Sequence, residues 1–311
     1  MVRMTVLASG SKGNSTVVSS SRTRILVDAG LSCRELFKRM AAAGEDPRTL
    51  DAILITHEHQ DHVQGLSVTA RKLGIPVYFT DATHRAWMRW MTPRKRMTYA
   101  DWLEQRKAAQ AEAEGYREEE LAECAREEEE LKAVSPSSKE SDPCALPGVE
   151  YFRSGSDFVI GDIAVKPFTI PHDAADPVGF VFETEGVRIG VATDLGYMPS
   201  NVSMQLRGCD VLMLESNHDL EMLRDGPYPW SVKQRVLSRV GHLSNDAAAE
   251  FLEKNYDGGA AYVVLAHISE SNNMPELARV AAERALRERM SLLANKLLLA
   301  VQHEPLESIS L

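Results

Sequence analysis

Six consecutive residues concentrate the coordinating chemistry of this chain: His57-Glu58-His59-Gln60-Asp61-His62. Imidazole and carboxylate groups are costly to bury unless something pairs with them, so crowding of this kind has no packing rationale. A divalent cation would satisfy them. The preceding Asp51-Ala52-Ile53-Leu54-Ile55-Thr56 reads as a buried strand, which predicts that His57 and His59, two apart, leave its end on one side. Asp61 and His62 fall on the following turn and can face a second ion. Further donors stand where other apolar runs open into loops: His172 after Phe168-Thr169-Ile170-Pro171, Asp194 after Ile189-Gly190-Val191-Ala192-Thr193, and His267 after Tyr262-Val263-Val264-Leu265-Ala266. Strand ends hold side chains with the rigidity a metal site needs. Imidazoles with carboxylates suit zinc and also admit manganese, so ligand type leaves the metal open. Two divalent ions against Asp61 and Asp194 leave a net charge of about +2, enough to hold a hydroxide and an anionic phosphate together.

The elements that must position these residues are mostly short strands. Apolar runs with turn residues at their ends predict strands at Met4–Ala8, Thr16–Val18, Arg24–Val27, Ala52–Thr56, Val77–Thr80, Asp162–Pro167, Val178–Thr184, Arg188–Thr193, Val211–Glu215, Ala261–Ala266 and Leu297–Val301. Helices are expected at Cys33–Ala43, Val63–Leu73, Trp230–Val240, Asn245–Lys254 and Pro275–Leu286, the last with proline at a favoured first position. Strands outnumber helices, and helices occur in both halves. This mixture predicts an α/β (α+β) protein of two packed sheets with helices on the outer faces.

A chain of 311 residues with 44% hydrophobic content can bury a layered core as a single domain. No apolar run approaches the roughly 18 residues of a membrane-spanning helix, and Met1–Gly10 reads as a first strand entering a Gly/Ser loop; a cytoplasmic protein without membrane contact is expected. The four cysteines, Cys33, Cys124, Cys144 and Cys209, lie far apart with no Cys-x-x-Cys, which fits structural thiols. The net charge of −10 is uneven: between Ala100 and Leu146 stand 14 acidic and 6 basic residues, so that stretch accounts for −8 of it. The segment 93–148 is expected to be an acidic, helical insertion, either a solvated face or a docking element for a protein partner.

The order of motifs resembles metallo-β-lactamase-fold hydrolases, and within them the YycJ-like (WalJ) branch. The matching segments are Ser9-Gly10-Ser11-Lys12-Gly13-Asn14-Ser15, Leu26-Val27-Asp28-Ala29-Gly30, the His57–His62 motif, Pro171-His172-Asp173-Ala174, Thr193-Asp194-Leu195-Gly196-Tyr197, Glu215-Ser216-Asn217-His218-Asp219, Tyr228-Pro229-Trp230-Ser231, Gly241-His242-Leu243-Ser244-Asn245 and His267-Ile268-Ser269 with Asn272-Asn273. They cover nearly everything outside roughly 93–148. The resemblance implies a four-layer αββα sandwich with a dinuclear site at one edge. It assigns His57, His59 and His172 to one ion, Asp61, His62 and His267 to the other, and Asp194 to the bridge between them. A hydroxide bridging the ions is the expected nucleophile on phosphorus. His242 is expected to stabilise the developing charge or protonate the leaving oxygen. Asp28 would orient a ligand histidine, and Glu215 and His218 would act behind the ligands or on substrate. His84 and His303 match no motif and read as surface residues.

Fold alone does not choose among thioester, lactam and phosphodiester substrates. A bridging aspartate, no cysteine beside a ligand histidine and no export signal disfavour a lactamase. The 22 residues from His172 to Asp194 are too few for the tRNA-gripping element of similar tRNA-processing enzymes, and the 73 from Asp194 to His267 too few for the extra domain of the β-CASP nucleases. Basic residues interleave with aromatics from Arg224 through Trp230, Lys233 and Arg235 to Arg239. They either track a nucleic-acid backbone and stack an end base, or form an exposed basic helix face. The Ser9–Ser15 loop, with Ser11 and Asn14, either offers N–H groups to a phosphate or is a plain turn between strands. The resemblance implies 5′-to-3′ exonuclease activity on double-stranded DNA. A glyoxalase II-like thioesterase and a non-catalytic regulatory or DNA-repair adaptor are the alternatives.

Overall fold

Residues of one strand that alternate between two apolar environments must lie between two layers, and the central strands do this. Val211 and Met213 join the core between the sheets, whereas Leu212 and Leu214 face the helices. Val264 and Ala266 likewise oppose Val263 and Leu265. Burial on both faces explains the unbroken apolar runs in the sequence. The computed structural model describes residues 1–92, 142, 144–286 and 296–311. One compact unit comprises Met1–Arg89 with Ala145–Leu311, and Trp90–Cys144 forms a second. The expected acidic insertion, 93–148, lies outside the described residues except for 142 and 144–148.

Two seven-stranded sheets form the first unit. In the first sheet β1 (Arg3–Ala8) pairs antiparallel with β14 (Ile309–Ser310) and β2 (Ser15–Ser19), and β2 pairs antiparallel with β3 (Arg24–Val27). From β3 the sheet continues in parallel through β4 (Ala52–Leu54), β5 (Val77–Thr80) and β6 (Val149–Phe152). The second sheet repeats the scheme. Strands β7 (Phe158–Ile160), β8 (Ile163–Thr169), β9 (Val178–Thr184) and β10 (Val187–Ala192) are antiparallel, and β11 (Val211–Glu215), β12 (Tyr262–Ala266) and β13 (Lys296–Leu299) continue in parallel. The αββα sandwich is thereby borne out, and the ends of parallel strands create the crevice where α/β proteins bind ligands.

Helices α1 (Cys33–Ala42), α2 (Gln60–Val63), α3 (Leu66–Leu73), α4 (Asp81–Met91), α5 (Ser200–Gln205), α6 (Leu220–Asp225), α7 (Trp230–Val236), α8 (Asn245–Lys254) and α9 (Pro275–Leu286) complete the described elements, with one 3-10 turn at Pro47–Thr49. The helix expected over Val63–Leu73 is divided at Gly65. A Cβ there would stand 1.9 Å from the Leu31 carbonyl oxygen, and the Gly65 N–H donates to Ala29 O at 2.8 Å. The helix expected to reach Val240 stops at Val236, because the chain turns back there and Val236 O accepts the His242 N–H at 3.0 Å. His84, expected on the surface, is buried: its Nδ1 lies 2.8 Å from Tyr151 Oη and its ring stacks on Phe79 and Trp87.

Candidate metal centre

Each residue singled out for metal chemistry stands just beyond a strand. Asp28 follows β3, the His57–His62 motif follows β4, His172 follows β8, Asp194 follows β10, and His267 follows β12. Among the described residues only four non-glycine residues have positive φ, and three are Asp28 (59°), Asp194 (61°) and His267 (55°). Left-handed backbone costs about 1–2 kcal/mol for an L-residue and persists where surroundings impose it. Here it turns each side chain from the strand direction into the crevice.

Three ring nitrogens converge first. His57 Nε2 lies 3.1 Å from His59 Nδ1, which lies 3.1 Å from His172 Nε2. The edge of a tetrahedron with Zn–N bonds of 2.0–2.1 Å is roughly 3.3 Å, so the three atoms are spaced as ligands of one ion. A second group is Asp61, His62 and His267, with Asp61 Oδ2 at 3.4 Å from His62 Nε2 and 3.6 Å from His267 Nε2. Asp194 stands between the groups. Its Oδ2 is 3.4 Å from His62 Nε2, and its Oδ1 is 4.0 Å from His172 Nε2. Asp194 Oδ2 and His267 Nε2 are buried and have no hydrogen-bond partner. Orphaned buried atoms of this kind carry a large penalty, and a cation in these clusters removes it. The donor set therefore fits divalent metal.

Residues behind the donors fix their tautomers. Asp28 Oδ2 takes His62 Nδ1 at 2.8 Å and Thr56 Oγ1 at 2.9 Å, while its Oδ1 takes the Thr56 N–H at 2.9 Å. Thr56 Oγ1 also lies 3.0 Å from His57 Nδ1. His172 Nδ1 donates to Gly241 O at 3.1 Å. With Nδ1 engaged, Nε2 of His57, His62 and His172 is left for an ion. Glu215 is a hub. Its Oε1 accepts Nδ1 of both His267 and His242, each at 2.8 Å, and its Oε2 accepts the N–H groups of Leu195 at 2.6 Å and Leu243 at 3.2 Å.

The electrostatics follow from burial against neighbours. Burial would raise Asp61 and Glu215, but the facing imidazoles His62, His242 and His267 hold both well below the ordinary carboxylate range. Burial would lower His62 and His267, but Asp61, Asp194 and their other carboxylate neighbours outweigh it and raise both well above the usual histidine value. His57, buried and facing His62, His172 and His59, is pushed well below it. The same nitrogens that attract protons here are those that a cation would take.

Residues 8–267 match the model of the metallo-beta-lactamase superfamily. The chain belongs to that superfamily. Exodeoxyribonuclease YycJ of Bacillus anthracis is 33% identical over 288 residues, covering 93% of this chain and 90% of that one. Exodeoxyribonuclease WalJ of Streptococcus pneumoniae serotype 2 is 33% identical over 278 residues, covering 89% and 86%. Zn(2+)-bound PqqB from Methylobacterium extorquens shares the fold, with a TM-score of 0.62 over 99% of this chain and 100% of that one at 17% identity. This metallo-β-lactamase-fold protein is thus YycJ-like and a metal-dependent hydrolase, as the motifs implied.

Other expected site residues in this metallo-β-lactamase-fold hydrolase are placed differently. Asn14 is buried rather than open to substrate: its Nδ2 donates to Asp61 Oδ2 at 3.0 Å and lies 3.0 Å from His62 Nε2. The Ser9–Ser15 loop is no phosphate cradle. Its N–H groups at Gly10, Lys12, Gly13 and Asn14 go to Asn14 Oδ1, Gln302 Oε1, Gly10 O and Asp61 O, leaving Ser11 exposed at the tip. Lys233 is buried too, with Nζ donating to Arg224 O at 2.7 Å, which removes it from any substrate face. His218 is buried with neither ring nitrogen hydrogen-bonded, and burial lowers it to about 4. Trp230 is exposed at the start of α7, and Arg235 is ion-paired with Asp173 beside His172. Sequence reasoning missed Thr56, Asp173 and Asn217, whose Nδ2 donates to His267 O at 2.8 Å. Position beside a ligand was the available signal for the first two.

Proposed function

We propose that this hydrolase is a phosphodiesterase holding two divalent ions, zinc or manganese, and acting on double-stranded DNA as a 5′-to-3′ exonuclease. His57, His59 and His172 would hold one ion, Asp61, His62 and His267 the other, and Asp194 both. The position of Asp194 carries the reading: a buried carboxylate whose two oxygens face the two groups of donors suits a pair of ions. The names of the relatives, exodeoxyribonucleases similar along nine-tenths of the chain, favour DNA over other phosphodiesters.

When bound, the ions supply a nucleophile at neutral pH by acidifying water and offset charge on the non-bridging phosphate oxygens. The chain's own residues do the rest. Asp28 and Thr56 keep His62 and His57 turned inward. Glu215 holds the proton on His242 Nδ1, so Nε2 is the atom of that partly exposed ring that can carry a proton at the leaving oxygen. Asn14 steadies Asp61. Exposed Trp230 offers a face for an end base, and Arg235, once released by Asp173, a contact for the backbone. Ser11, at the exposed tip of its loop, is a further contact for the strand.

The test offers metal-loaded protein 5′-labelled duplex DNA, single-stranded DNA, RNA and a glutathione thioester in parallel, with Asp61→Ala as control. The expected result is stepwise release of nucleotides from the labelled duplex end, absent from the control. Cleavage of the thioester alone, or equal activity in the control, would overturn the assignment.

A further inference from the structure

The basic stretch beside the site looks like four cations available to a polyanion, but three are already engaged. Arg224 Nε donates to Asp225 Oδ1 at 2.9 Å, Lys233 Nζ is buried on Arg224 O, and Arg235 is paired with Asp173. Arg239 is different. Among the described residues its side chain has no carboxylate partner, and its guanidinium carbon lies 4.4 Å from the centre of the Tyr197 ring. Both residues are exposed.

Their backbone is fixed to the site. Tyr197 follows Asp194 by three residues, and Arg239 precedes His242 by three. A Cβ on Gly196 would stand 2.2 Å from Arg239 O, so only glycine lets these two loops touch. Gly196 N–H donates to Pro171 O at 2.8 Å, Val240 O accepts the Asp173 N–H at 3.0 Å, and Gly241 O accepts His172 Nδ1 at 3.1 Å. The loops carrying His172, Asp194 and His242 are thus one interlocked rim, and the pair stands on it.

We infer that Arg239, seated on Tyr197, is a phosphate-binding arginine of the site: it takes the nucleic-acid phosphate next to the one being cleaved. The inference rests on the nuclease reading, narrows the basic stretch Arg224–Arg239 to its last arginine, and adds Tyr197, which the sequence did not single out as a substrate contact. A guanidinium stacked on an aromatic face keeps its N–H edge turned outward in a fixed plane, which suits bidentate phosphate binding and reduces the entropy lost on contact. A phosphate can reach Arg239 without breaking an ion pair, whereas Arg235 must first leave Asp173.

The test measures binding rather than turnover. Metal-loaded full-length protein is titrated against a fluorescent phosphorothioate-linked duplex, by anisotropy, across a salt series. Arg239→Gln should weaken binding at least fivefold and make log Kd less salt-dependent by about 0.9, the contribution of one phosphate contact. Tyr197→Ala should weaken it about two- to fivefold with the slope kept, since the charge remains and only its seating is lost. Tyr197→Phe should match wild type. Metal content should be unchanged in all three. Wild-type affinity and slope in Arg239→Gln, while wild type binds well, would overturn the inference and leave the nuclease reading standing; so would loss of metal from that variant. Failure of wild type to bind any DNA would overturn both.

Discussion

Replacing Glu215 with Gln changes one oxygen to an amide nitrogen in a fully buried side chain that accepts four hydrogen bonds. The amide has one acceptor atom and must turn it to one pair of donors. Turned to His242 and His267, it sets its NH2 against the N–H groups of Leu195 and Leu243, leaving two buried donors unsatisfied at about 1–3 kcal/mol each. Turned to the backbone, it sets the NH2 against two imidazole Nδ1 atoms, which must then accept, so each ring carries its proton on Nε2. For His267 that is the atom facing Asp61, and a protonated Nε2 cannot ligate. The second arrangement keeps the loops intact at the expense of metal, and loss of such a supporting carboxylate lowers metal affinity about 10- to 100-fold, or roughly 1.4–2.7 kcal/mol. His242 loses its orientation at the same time, and turnover should fall at least a hundredfold. Competition for the ions against a chromophoric chelator measures the first effect, and single-turnover cleavage of duplex DNA at saturating metal the second. Affinity and turnover both within twofold of wild type would refute the hub described for Glu215.

His242→Ala should leave both ions bound, by elemental analysis, while lowering DNA cleavage at least a hundredfold; unchanged turnover would discard its catalytic role. Gly30→Ala would place a Cβ 1.6 Å from the Asp61 carbonyl oxygen, against backbone that no side-chain rotation can relieve, and should cost about 3 kcal/mol or more in denaturant unfolding together with loss of metal. Asp162 is held at about 2 by hydrogen bonds involving Thr23, Ser20 and Arg22. A depressed carboxylate stabilises the fold above its unfolded value near 3.8 and loses that contribution as pH falls towards 2, so Asp162→Asn should flatten the acid limb of the stability profile between those values.

Much of the scaffold was legible because its signals are local. Strands such as Val211–Glu215 and Tyr262–Ala266 are buried on both faces and read as continuous apolar runs. Most of the elements missed were short: α5 and α6 have six residues each, too few to display a 3.6-residue period, and β6, β7 and β14 have four, three and two, whereas the eleven-residue α4 (Asp81–Met91) was missed despite its length. The break at Gly65 was hidden because its cause is Leu31, a residue of another loop. Asn14 and Lys233 were misplaced for a related reason. Polar type and neighbourhood suggest exposure, whereas Asn14 meets Asp61 from a distant loop and Lys233 folds back on Arg224 O nine residues earlier, contacts set by how the backbone turns.

By itself the sequence determined which donors exist and where strands end, since residue type and two-residue alternation are written along the chain. That sufficed for the layered sheets and the seven candidate ligands, and the order of motifs supplied the resemblance to the family. Only the tertiary structure decided which nitrogen each imidazole turns inward, how Asp194 comes to face both groups, and that Glu215 joins Leu195, His242, Leu243 and His267. Those facts depend on the parallel register of β10, β11 and β12. Pairing brings residues distant along the chain within 3 Å, and hydrogen bonding, which acts only at that range, then selects the tautomers and the chemistry.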